Sequence, residues 1–206
     1  MNKKNLLVKI HGYVCSDGCI DFWKSKDLHG KKIRTRLRLR IRFYSADKEL
    51  IEDFIHSLKI CFPNLKNIRY YPKRYEVEVR NHPSSKEILK LGKVTSREWE
   101  FPANLTQNQK ILWIRAFVDC DGTVQNANYD RFIAIDSINF NGLNKIKEEL
   151  ALLGISSNLY SIFCGKSFRL KIFRKENILK YNDLIGFTHE GKQRKLDEAI
   201  KSYKKL

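Results

Sequence analysis

The feature of this sequence that most restricts its fold is an internal duplication. The 206 residues contain two Asp-Gly dipeptides, Asp17-Gly18 and Asp121-Gly122, which lie 104 positions apart, about half the chain. Each dipeptide ends a mainly apolar stretch that begins near Leu6 in the first copy and near Ile111 in the second. Self-similarity at a fixed spacing indicates one structural unit that occurs twice, so the predicted fold must contain two related halves.

The segments after the two dipeptides show the same patterns in the same order. A strand-rich stretch, a helical pattern, a second strand-rich stretch and a second helical pattern follow each dipeptide. In the first half these are residues 20–44, 47–60, 67–80 and 84–91, and in the second half residues 123–138, 141–153, 158–174 and 177–185. We therefore predict an α+β fold of two tandem αββαββα halves, with a further helix at 190–204.

Local signals give the boundaries of the halves. We expect the first half at residues 1–93, a linker at 94–103 and the second half at 104–206. Thr106 and Gln109 form the pattern of a capping box, which predicts the start of the helix that leads to the second dipeptide. Gly18 and Gly122 adopt positive φ at low cost, so we expect each to end its helix in the left-handed conformation.

The charge of the chain favours a polyanionic partner. Forty Lys and Arg residues against 23 Asp and Glu residues give a net charge of +17. A field of this sign concentrates nucleic acid around the molecule, whereas a merely soluble basic surface is the alternative interpretation. We expect a nucleic acid as the partner and no membrane association.

Arginines alternate with apolar residues along residues 33–43. The period of a strand places the arginines on one face and Ile33, Leu37, Leu39, Ile41 and Phe43 on the other, where we expect them to pack on helices. Like charges on one face repel each other unless a polyanion compensates them, so we predict DNA contact there. In such contacts Arg reads guanine and Glu accepts from cytosine. The predicted DNA-binding residues are Arg34, Arg36, Arg38, Arg40, Arg42, Arg74, Glu76, Glu78, Arg80, Gln125, Arg131, Lys166, Arg169 and Lys171.

Two further features concern the compartment. No apolar run approaches the ~20 residues of a membrane span, and Lys9 interrupts the N-terminal apolar stretch. The five cysteines are odd in number and show no Cys-x-x-Cys pair, which indicates reduced thiols. We expect a cytoplasmic protein, or an organellar one in a eukaryotic host, that is not secreted.

The two motif stretches resemble the signature of a known family. Residues 10–18 read Ile-His-Gly-Tyr-Val-Cys-Ser-Asp-Gly, and residues 114–122 read Ile-Arg-Ala-Phe-Val-Asp-Cys-Asp-Gly. Both resemble the motif of the LAGLIDADG homing endonucleases, and the spacing is similar to the two-motif, monomeric, pseudo-twofold type. The resemblance covers essentially the whole chain. It implies that two motif helices cross at Gly12 and Ala116, where small side chains let backbones approach, and that each half lays a curved antiparallel sheet into the major groove.

The same resemblance implies an activity. Family members hydrolyse double-stranded DNA at specific sites by metal-activated water, with one catalytic acid in each half. Carried over to this chain, the catalytic and metal-binding residues are Asp17 and Asp121, joined by the backbone carbonyls of Ser16 and Cys120. Mg²⁺ or Mn²⁺ is the implied cofactor, because carboxylate oxygens suit such ions and paired ions stabilise both reacting oxygens. Asp119 stands at the position where the other copy has Cys15, so we expect a structural role for it.

The sequence departs from the family pattern at one point. Active members commonly carry a lysine where a strand gives way to the second helix of each half, and this chain has Ser45-Ala46 and Ser137-Ile138 there. Lys192 and Lys195 are the candidate auxiliary basic residues. The alternative function is therefore a cleavage-deficient relative that acts as an intron RNA maturase or a DNA-binding protein.

Other enzyme signatures are weaker. The five histidines, His11, His29, His56, His82 and His189, form no His-Asn-His cluster. Glu78-Val-Arg80 is similar to the acid-x-base element of restriction-type nucleases, but a plain strand explains it equally well. The ten glycines are scattered, and no glycine-rich loop is present to hold a phosphate.

Overall fold

A computed structural model of the chain describes residues 1–29, 32–80, 83–127 and 130–203. His82 and the predicted end of the last helix at Lys204 lie outside the described residues. Within them the same order of helices and strands occurs twice, as the duplication predicts. None of the helices in these ranges combines the length and the apolar character that a membrane crossing requires.

The first half is a helix followed by two hairpins, with a helix after each hairpin. Its elements are α1 (Lys3–Asp17), β1 (Gly18–His29), β2 (Lys32–Tyr44), α2 (Lys48–Cys61), β3 (Ile68–Tyr71), β4 (Glu76–Arg80) and α3 (Ser84–Leu89). The strand-rich stretch at 20–44 is thus one long hairpin, and the stretch at 67–80 is a second hairpin with a 3-10 turn at Pro72–Arg74.

The second half repeats this order and adds a C-terminal helix. Its elements are α4 (Gln107–Asp121), β5 (Gly122–Ala127), β6 (Asp130–Ser137), α5 (Phe140–Leu152), β7 (Ser157–Ile162), β8 (Ser167–Phe173), α6 (Lys175–Leu184) and α7 (Glu190–Ser202). Thr106 caps α4 in a complete capping box with Gln109, as predicted. The α+β fold of two αββαββα halves is confirmed.

Each half contains one antiparallel sheet with a buried and an open face. The strand orders are β1-β2-β4-β3 and β5-β6-β8-β7. Ile41, Phe43, Val77 and Val79 point to one side of the first sheet, where they are fully buried in the hydrophobic core. Since side chains alternate along a strand, their sequence neighbours point outward. The open face of each sheet is therefore free to contact a partner.

The two halves meet where α1 crosses α4. A Cβ atom added at Gly12 would lie 2.7 Å from the Trp113 carbonyl oxygen and 3.2 Å from the Ala116 Cβ. These distances leave no room for a side chain on Gly12, because the two backbones approach each other closely at this point. The predicted crossing of the motif helices at Gly12 and Ala116 is present.

The segment between α3 and α4 is packed into the core. Residues 90–106 form only turns, bends and irregular chain, in the region where the sequence predicts a linker. Val94, Trp99 and Phe101 are nevertheless buried, and Trp99 contacts the rings of Trp113 and Phe117. The connection between the halves is therefore part of their shared core, and the exact boundaries of the halves stay a prediction.

The prediction of left-handed conformations at Gly18 and Gly122 is wrong. Both residues have negative φ, −127° at Gly18 and −82° at Gly122, and continue directly into a strand. Glycine is required for a different reason. A Cβ at Gly18 would lie 2.8 Å from the Arg42 carbonyl oxygen, and one at Gly122 would lie 2.3 Å from the Val118 carbonyl oxygen. The absence of a side chain permits the sharp change from helix to strand.

The apolar face of the first hairpin is only partly covered. Leu39, Ile41 and Phe43 are buried, as predicted, but Ile33 is 67% and Leu37 56% exposed. Helices cover the end of the hairpin near Gly18 and leave its outer part open. The alternating pattern shows which side chains share a face, but it does not show how far the helices extend over that face.

Candidate active site and nucleic-acid interface

The two candidate acids terminate the crossing helices. Asp17 is the last residue of α1 and Asp121 is the last residue of α4. Ser16 Oγ donates to the Phe117 carbonyl at 3.2 Å, which ties the end of α1 to α4. The same hydroxyl lies within hydrogen-bonding reach of the Asp121 carboxylate, and the Cys120 thiol within reach of Asp17. Each acid is therefore positioned by the residue that precedes the other acid.

The surroundings of Asp17 and Asp121 disfavour the ionisation of both carboxyl groups at the same time. The pKa of Asp121 is raised to about 7, mainly by burial and then by the charge of Asp17. Burial also raises the pKa of Asp17, while Lys192 and Cys120 lower it. Two acids with raised pKa values in a cleft are a pattern of functional sites, because ordinary stability does not require such an arrangement.

Lys192 lies at the carboxyl end of α4. Its Nζ donates to the carbonyl oxygens of Asp119 at 2.5 Å and Cys120 at 2.9 Å, and lies 3.5 Å from that of Val118. The Val118 carbonyl also accepts from the Gly122 backbone N–H, whereas the last carbonyls of a helix lack such partners, so a cation at this end is stabilised. Burial lowers the pKa of Lys192, whereas Cys120, Asp119 and both catalytic candidates raise it. Lys192 is thus brought to the acids, although 71 residues of sequence separate it from Asp121.

Asp119 holds the loop that precedes α7, the helix that carries Lys192. Its Oδ1 accepts from the backbone N–H groups of Thr188 at 2.9 Å and His189 at 3.1 Å, and its side chain is fully buried. In the first half the corresponding contacts come from His11 and Cys15, which lie against the Gly92 and Lys93 carbonyls. The two loops that follow α3 and α6 are therefore held by different chemistry.

The acids offer suitable donors for a divalent ion. No group of three or more His, Cys, Asp or Glu side chains among the described ranges is arranged to hold a metal. Two carboxylates that crowd each other while partly buried nevertheless favour a cation between them. Ions of the magnesium type are bound through one or two carboxylates, with water and substrate phosphate as further ligands. The Asp17 and Asp121 carboxylates and the Ser16 carbonyl are donors of the type that such an ion requires, whereas the Cys120 carbonyl accepts from Lys192 Nζ at 2.9 Å.

The predicted arginines share the outward face of the first sheet. The register pairs Arg42 with Cys19, Arg40 with Asp21 and Arg38 with Trp23, so these side chains point away from the core. Arg34 and Arg36 follow on the exposed outer part of β2. On the edge strand β3, Arg69 pairs with Glu78 and belongs to the same face. We call this surface the arginine face.

Carboxylates of the same sheet compensate much of this charge. Arg40 and Arg42 both contact Asp21, at 2.9 and 2.8 Å, and Arg38 contacts Asp27 at 2.5 Å. The prediction that only a polyanion relieves the repulsion among these arginines is therefore wrong. The pairing of β1 with β2 places Asp21 and Asp27 opposite the arginines. The alternating pattern of β2 alone does not show that these carboxylates are close.

Glu78 does not fit the predicted role of accepting from cytosine. It is 2% exposed, and its two oxygens accept from Arg80 at 2.7 and 3.1 Å and from Arg40 at 3.3 Å. These contacts lower its pKa, although burial alone would raise it. Glu76 is also buried, at 6% exposure. Both glutamates are better described as parts of the sheet that orient neighbouring side chains, while Arg74 lies in the exposed turn before β4.

The second sheet brings together some of the other predicted contacts. Gln125, Arg169 and Lys171 lie on its outward face, and Lys166 lies exposed at the start of β8. Arg131 lies on the opposite face, where its Nε donates to Ser202 and its guanidinium stacks on Tyr203 at 4.6 Å. The prediction of DNA contact by Arg131 is therefore not retained, because this side chain attaches α7 to the sheet.

The remaining candidate positions make contacts with residues other than the two acids. Lys195 lines a cavity of about 250 Å³ with Gln125 and Asn126, at the junction of α7 and β5. The Ser45 backbone N–H donates to the Tyr75 carbonyl, and Ser137 Oγ accepts from the Trp99 indole. Ala46 and Ile138, next to these serines, are exposed. The residues at the strand ends therefore take part in turns and packing. Among the described residues, Lys192 is the basic side chain that contacts the carboxyl end of a motif helix.

Comparison with known proteins gives a family match for part of the chain. Residues 108–186 match the model of the LAGLIDADG-like domain, and no curated protein sequence is significantly similar to the chain. The structure of I-DmoI in complex with DNA and calcium is 17% identical, with a TM-score of 0.65 over 96% of this chain and 100% of that chain. I-LtrWI bound to its target DNA is 12% identical, with a TM-score of 0.66 over 99% and 92% of the two chains.

A third solved structure shares the fold. The full-length DUF199/WhiA protein from Thermotoga maritima is 17% identical, with a TM-score of 0.63 over 100% of this chain and 62% of that chain. At such identities the likeness establishes the fold of both halves, while the sequence match concerns the second half. The second half is therefore similar in sequence to the LAGLIDADG-like domain, and both halves share the fold of these solved structures.

Proposed function

We propose that this protein is a site-specific double-stranded DNA endonuclease that acts as a monomer, with one catalytic acid from each half. The observation that carries the proposal is the pair Asp17 and Asp121, which end two crossing helices at the junction of the halves, where the charge of Asp17 helps to raise the pKa of Asp121. Because one chain supplies both acids, no second subunit is needed to complete the site.

The roles of the residues follow from their positions. A bound Mg²⁺ or Mn²⁺ would supply a Lewis acid that polarises the phosphodiester and lowers the pKa of water. Asp17 and Asp121 bind and orient that ion, with the Ser16 and Cys120 carbonyls beside them. Lys192, which holds its proton close to both acids, is suited to stabilise negative charge on the phosphate.

The open faces of the sheets are suited to bind the substrate. The arginine face and the outward face of the second sheet lie on either side of the acids, since β1 and β5 begin directly after Asp17 and Asp121. Two-stranded ribbons of this kind fit the major groove of B-DNA. The structures of I-DmoI and I-LtrWI, which share this fold, contain DNA.

Cleavage of a randomised double-stranded DNA library with Mg²⁺ tests the proposal. Selected sites should be cut on both strands, and Asp17→Asn or Asp121→Asn should abolish cutting while DNA affinity stays within a few-fold. Asp183→Asn is the matched control, because Asp183 is an exposed carboxylate on α6. Retained cutting by both active-site variants would remove these acids from the mechanism.

The alternative is binding without cutting, to DNA or to an intron RNA. One observation favours it: Lys192 Nζ already donates to the Cys120 carbonyl, one of the groups that would face the metal. If this contact excludes the ion, the library should yield bound sequences without cut products, and Lys192→Met should not lower DNA affinity. A preference for structured RNA over duplex DNA would identify the maturase function.

A further inference from the structure

The outward faces of the two sheets differ in charge. Among its described residues, the arginine face carries seven arginines against four carboxylates, which are Arg34, Arg36, Arg38, Arg40, Arg42, Arg69 and Arg80 against Asp21, Asp27, Glu76 and Glu78. The outward face of the second sheet carries Arg169 and Lys171 against Asp130 and Asp136. The first face is therefore strongly positive and the second is neutral.

This difference in charge is found at positions that are equivalent in the two sheets. Gly18 pairs with Phe43 and Gly122 pairs with Ile135, so these pairs mark the same point in each half, directly after the acid. One step outward, Arg42 pairs with Glu78 in the first sheet and Ala134 pairs with Lys171 in the second. At the next outward step Arg40 pairs with Arg80, whereas Phe132 pairs with Phe173. The second outward pair thus consists of two arginines in the first half and of two aromatic rings in the second.

The inner arginines are fixed in orientation. Arg42 Nε donates to Asp21 at 2.9 Å and its Nη1 donates to the Tyr44 hydroxyl at 2.6 Å. Its Nη2 also contacts Asp21, at 2.8 Å, so at most one of the two N–H groups on each terminal nitrogen of Arg42 stays available to a ligand. Arg80 is held in a similar way by both oxygens of Glu78. A guanidinium with a fixed orientation suits bidentate contact with the O6 and N7 atoms of guanine.

The corresponding part of the second sheet is apolar. Phe132 and Phe173 are neighbours across the strands, and each is partly exposed on the outward face. Lys171 Nζ lies 3.7 Å from the centroid of the Phe132 ring, so its ammonium group rests over the aromatic surface. Phenylalanine in the major groove contacts the methyl group of thymine. This pair can therefore distinguish thymine from cytosine without hydrogen bonds.

From this asymmetry we propose that the two halves read DNA of different base composition. The first sheet recognises guanines through Arg42 and Arg80, and the second sheet recognises thymine methyl groups through Phe132 and Phe173. These four residues belong to the first two outward pairs after the acid of each half. The substrate class is a non-palindromic duplex with a guanine-bearing half-site on one side and a thymine-bearing half-site on the other. The inference rests on the proposed DNA-binding function and does not require cleavage.

Base analogues test the proposal without any change to the protein. Sites are first selected by binding from a randomised duplex library with Ca²⁺ in place of Mg²⁺, so that affinity is read independently of cutting. In the guanine half-site, 7-deazaguanine removes one acceptor and should weaken binding by about 5- to 150-fold, the effect of a lost bidentate contact. In the other half-site, deoxyuridine removes the thymine methyl and should weaken binding by about fourfold per contacted base.

Variants of the protein assign each half-site to a sheet. Arg42→Ala should reduce the 7-deazaguanine effect and leave the deoxyuridine effect unchanged, and Phe132→Ala should do the reverse. Each double variant, Arg42→Ala with Arg80→Ala or Phe132→Ala with Phe173→Ala, should remove the effect in its half-site. Arg34→Ala is the matched control, since Arg34 is exposed at the outer end of β2 and should lower affinity without altering base preference. Circular dichroism of each variant shows whether the fold is kept, and the analogues on the unchanged protein decide the question if one variant fails to fold.

The outcomes separate this inference from the proposed function. Equal base preferences on both sides, or analogue effects in the wrong half-sites, would overturn the inference while cleavage of the selected duplex still supports the enzyme. The predicted half-site preferences without any cleavage would support the inference and contradict the endonuclease. Failure to bind duplex DNA above background would overturn both.

Discussion

His189 Nε2 lies 3.1 Å from the Asp47 carboxylate, and this contact joins the loop before α7 to the start of α2 in the other half. The other ring nitrogen, Nδ1, accepts from the Lys192 backbone N–H at 3.3 Å. Since Nδ1 is an acceptor, the hydrogen of a neutral ring is on Nε2, which donates to Asp47. The first half therefore takes part in placing Lys192 beside the acids of the site.

We predict that this contact controls the rate of cleavage and leaves DNA affinity unchanged. Asp47→Ala should lower the single-turnover rate by about 10–100-fold, because small displacements of catalytic groups have effects of this size. Asp47→Asn keeps an acceptor for His189 and should restore most of the rate. Glu52→Gln is the control, since Glu52 pairs with Lys48 on the exposed surface of α2. Equal rates for all three variants would make the contact purely structural.

The raised pKa of Asp121 predicts how stability depends on pH in the absence of metal. In the unfolded chain this acid titrates near its ordinary value of 3.8, and in the folded protein near 7. The contribution of Asp121 to the free energy of unfolding is therefore fully present below about pH 4 and is lost as the pH rises through 7. At pH 8 without metal, Asp121→Asn should be the more stable protein, by up to about 4 kcal/mol in urea unfolding. If the Asp121→Asn protein exceeds the wild type in stability by as much at pH 4 as at pH 8, the prediction is contradicted.

The crossing of α1 and α4 predicts a strong effect of a single methyl group. Alanine at position 12 would bring its Cβ within 2.7 Å of the Trp113 carbonyl oxygen, so the helices must move apart. We expect Gly12→Ala to lower the free energy of unfolding by about 1–3 kcal/mol, in spite of its better helix propensity. The control Ala151→Leu adds bulk at an exposed position of α5 and should change the free energy of unfolding by no more than about 0.5 kcal/mol. Thermal or urea unfolding distinguishes the two variants.

The arginine face predicts a steep salt dependence of DNA binding. If about 6–10 phosphates are contacted, affinity should fall by about 10³–10⁵ between ~50 and ~200 mM salt. Arg36, 53% exposed in its side chain, should contribute about 0.9 to the slope of log affinity against log salt. Lys48→Ala on α2 should leave the slope unchanged. A flat response for the wild-type protein would place the nucleic acid elsewhere.

The sequence predicts the architecture well because the same order of helices and strands can be read in each of the two halves. The motif spacing, the capping box at Thr106 and the alternation in 33–43 each correspond to an observed element. Such signals are local, since they depend on residues a few positions apart. The crossing at Gly12 was also predictable, because glycine weakens the middle of an apolar helix and is favoured there where another backbone approaches closely.

The contacts between distant segments could not be predicted in the same way. The pairing of Asp21 with Arg40 and Arg42 depends on the register of β1 against β2, and the site of Lys192 depends on a loop held by Asp119. Arg131 was assigned to the wrong face because the start of β6 could not be located within one residue. An error of one position inverts the orientation of every side chain in a strand.

The open outer part of the first hairpin has a consequence for the behaviour of the protein in solution. Phe22, Leu28, Ile33 and Leu37 form an exposed apolar strip beside β1, which is an edge strand. Long edge strands with apolar faces tend to pair with other copies, and charged side chains prevent this. Lys24 and Lys26 interrupt the strip and act as gatekeepers. We expect neutralisation of both lysines to make the hairpin a self-association surface.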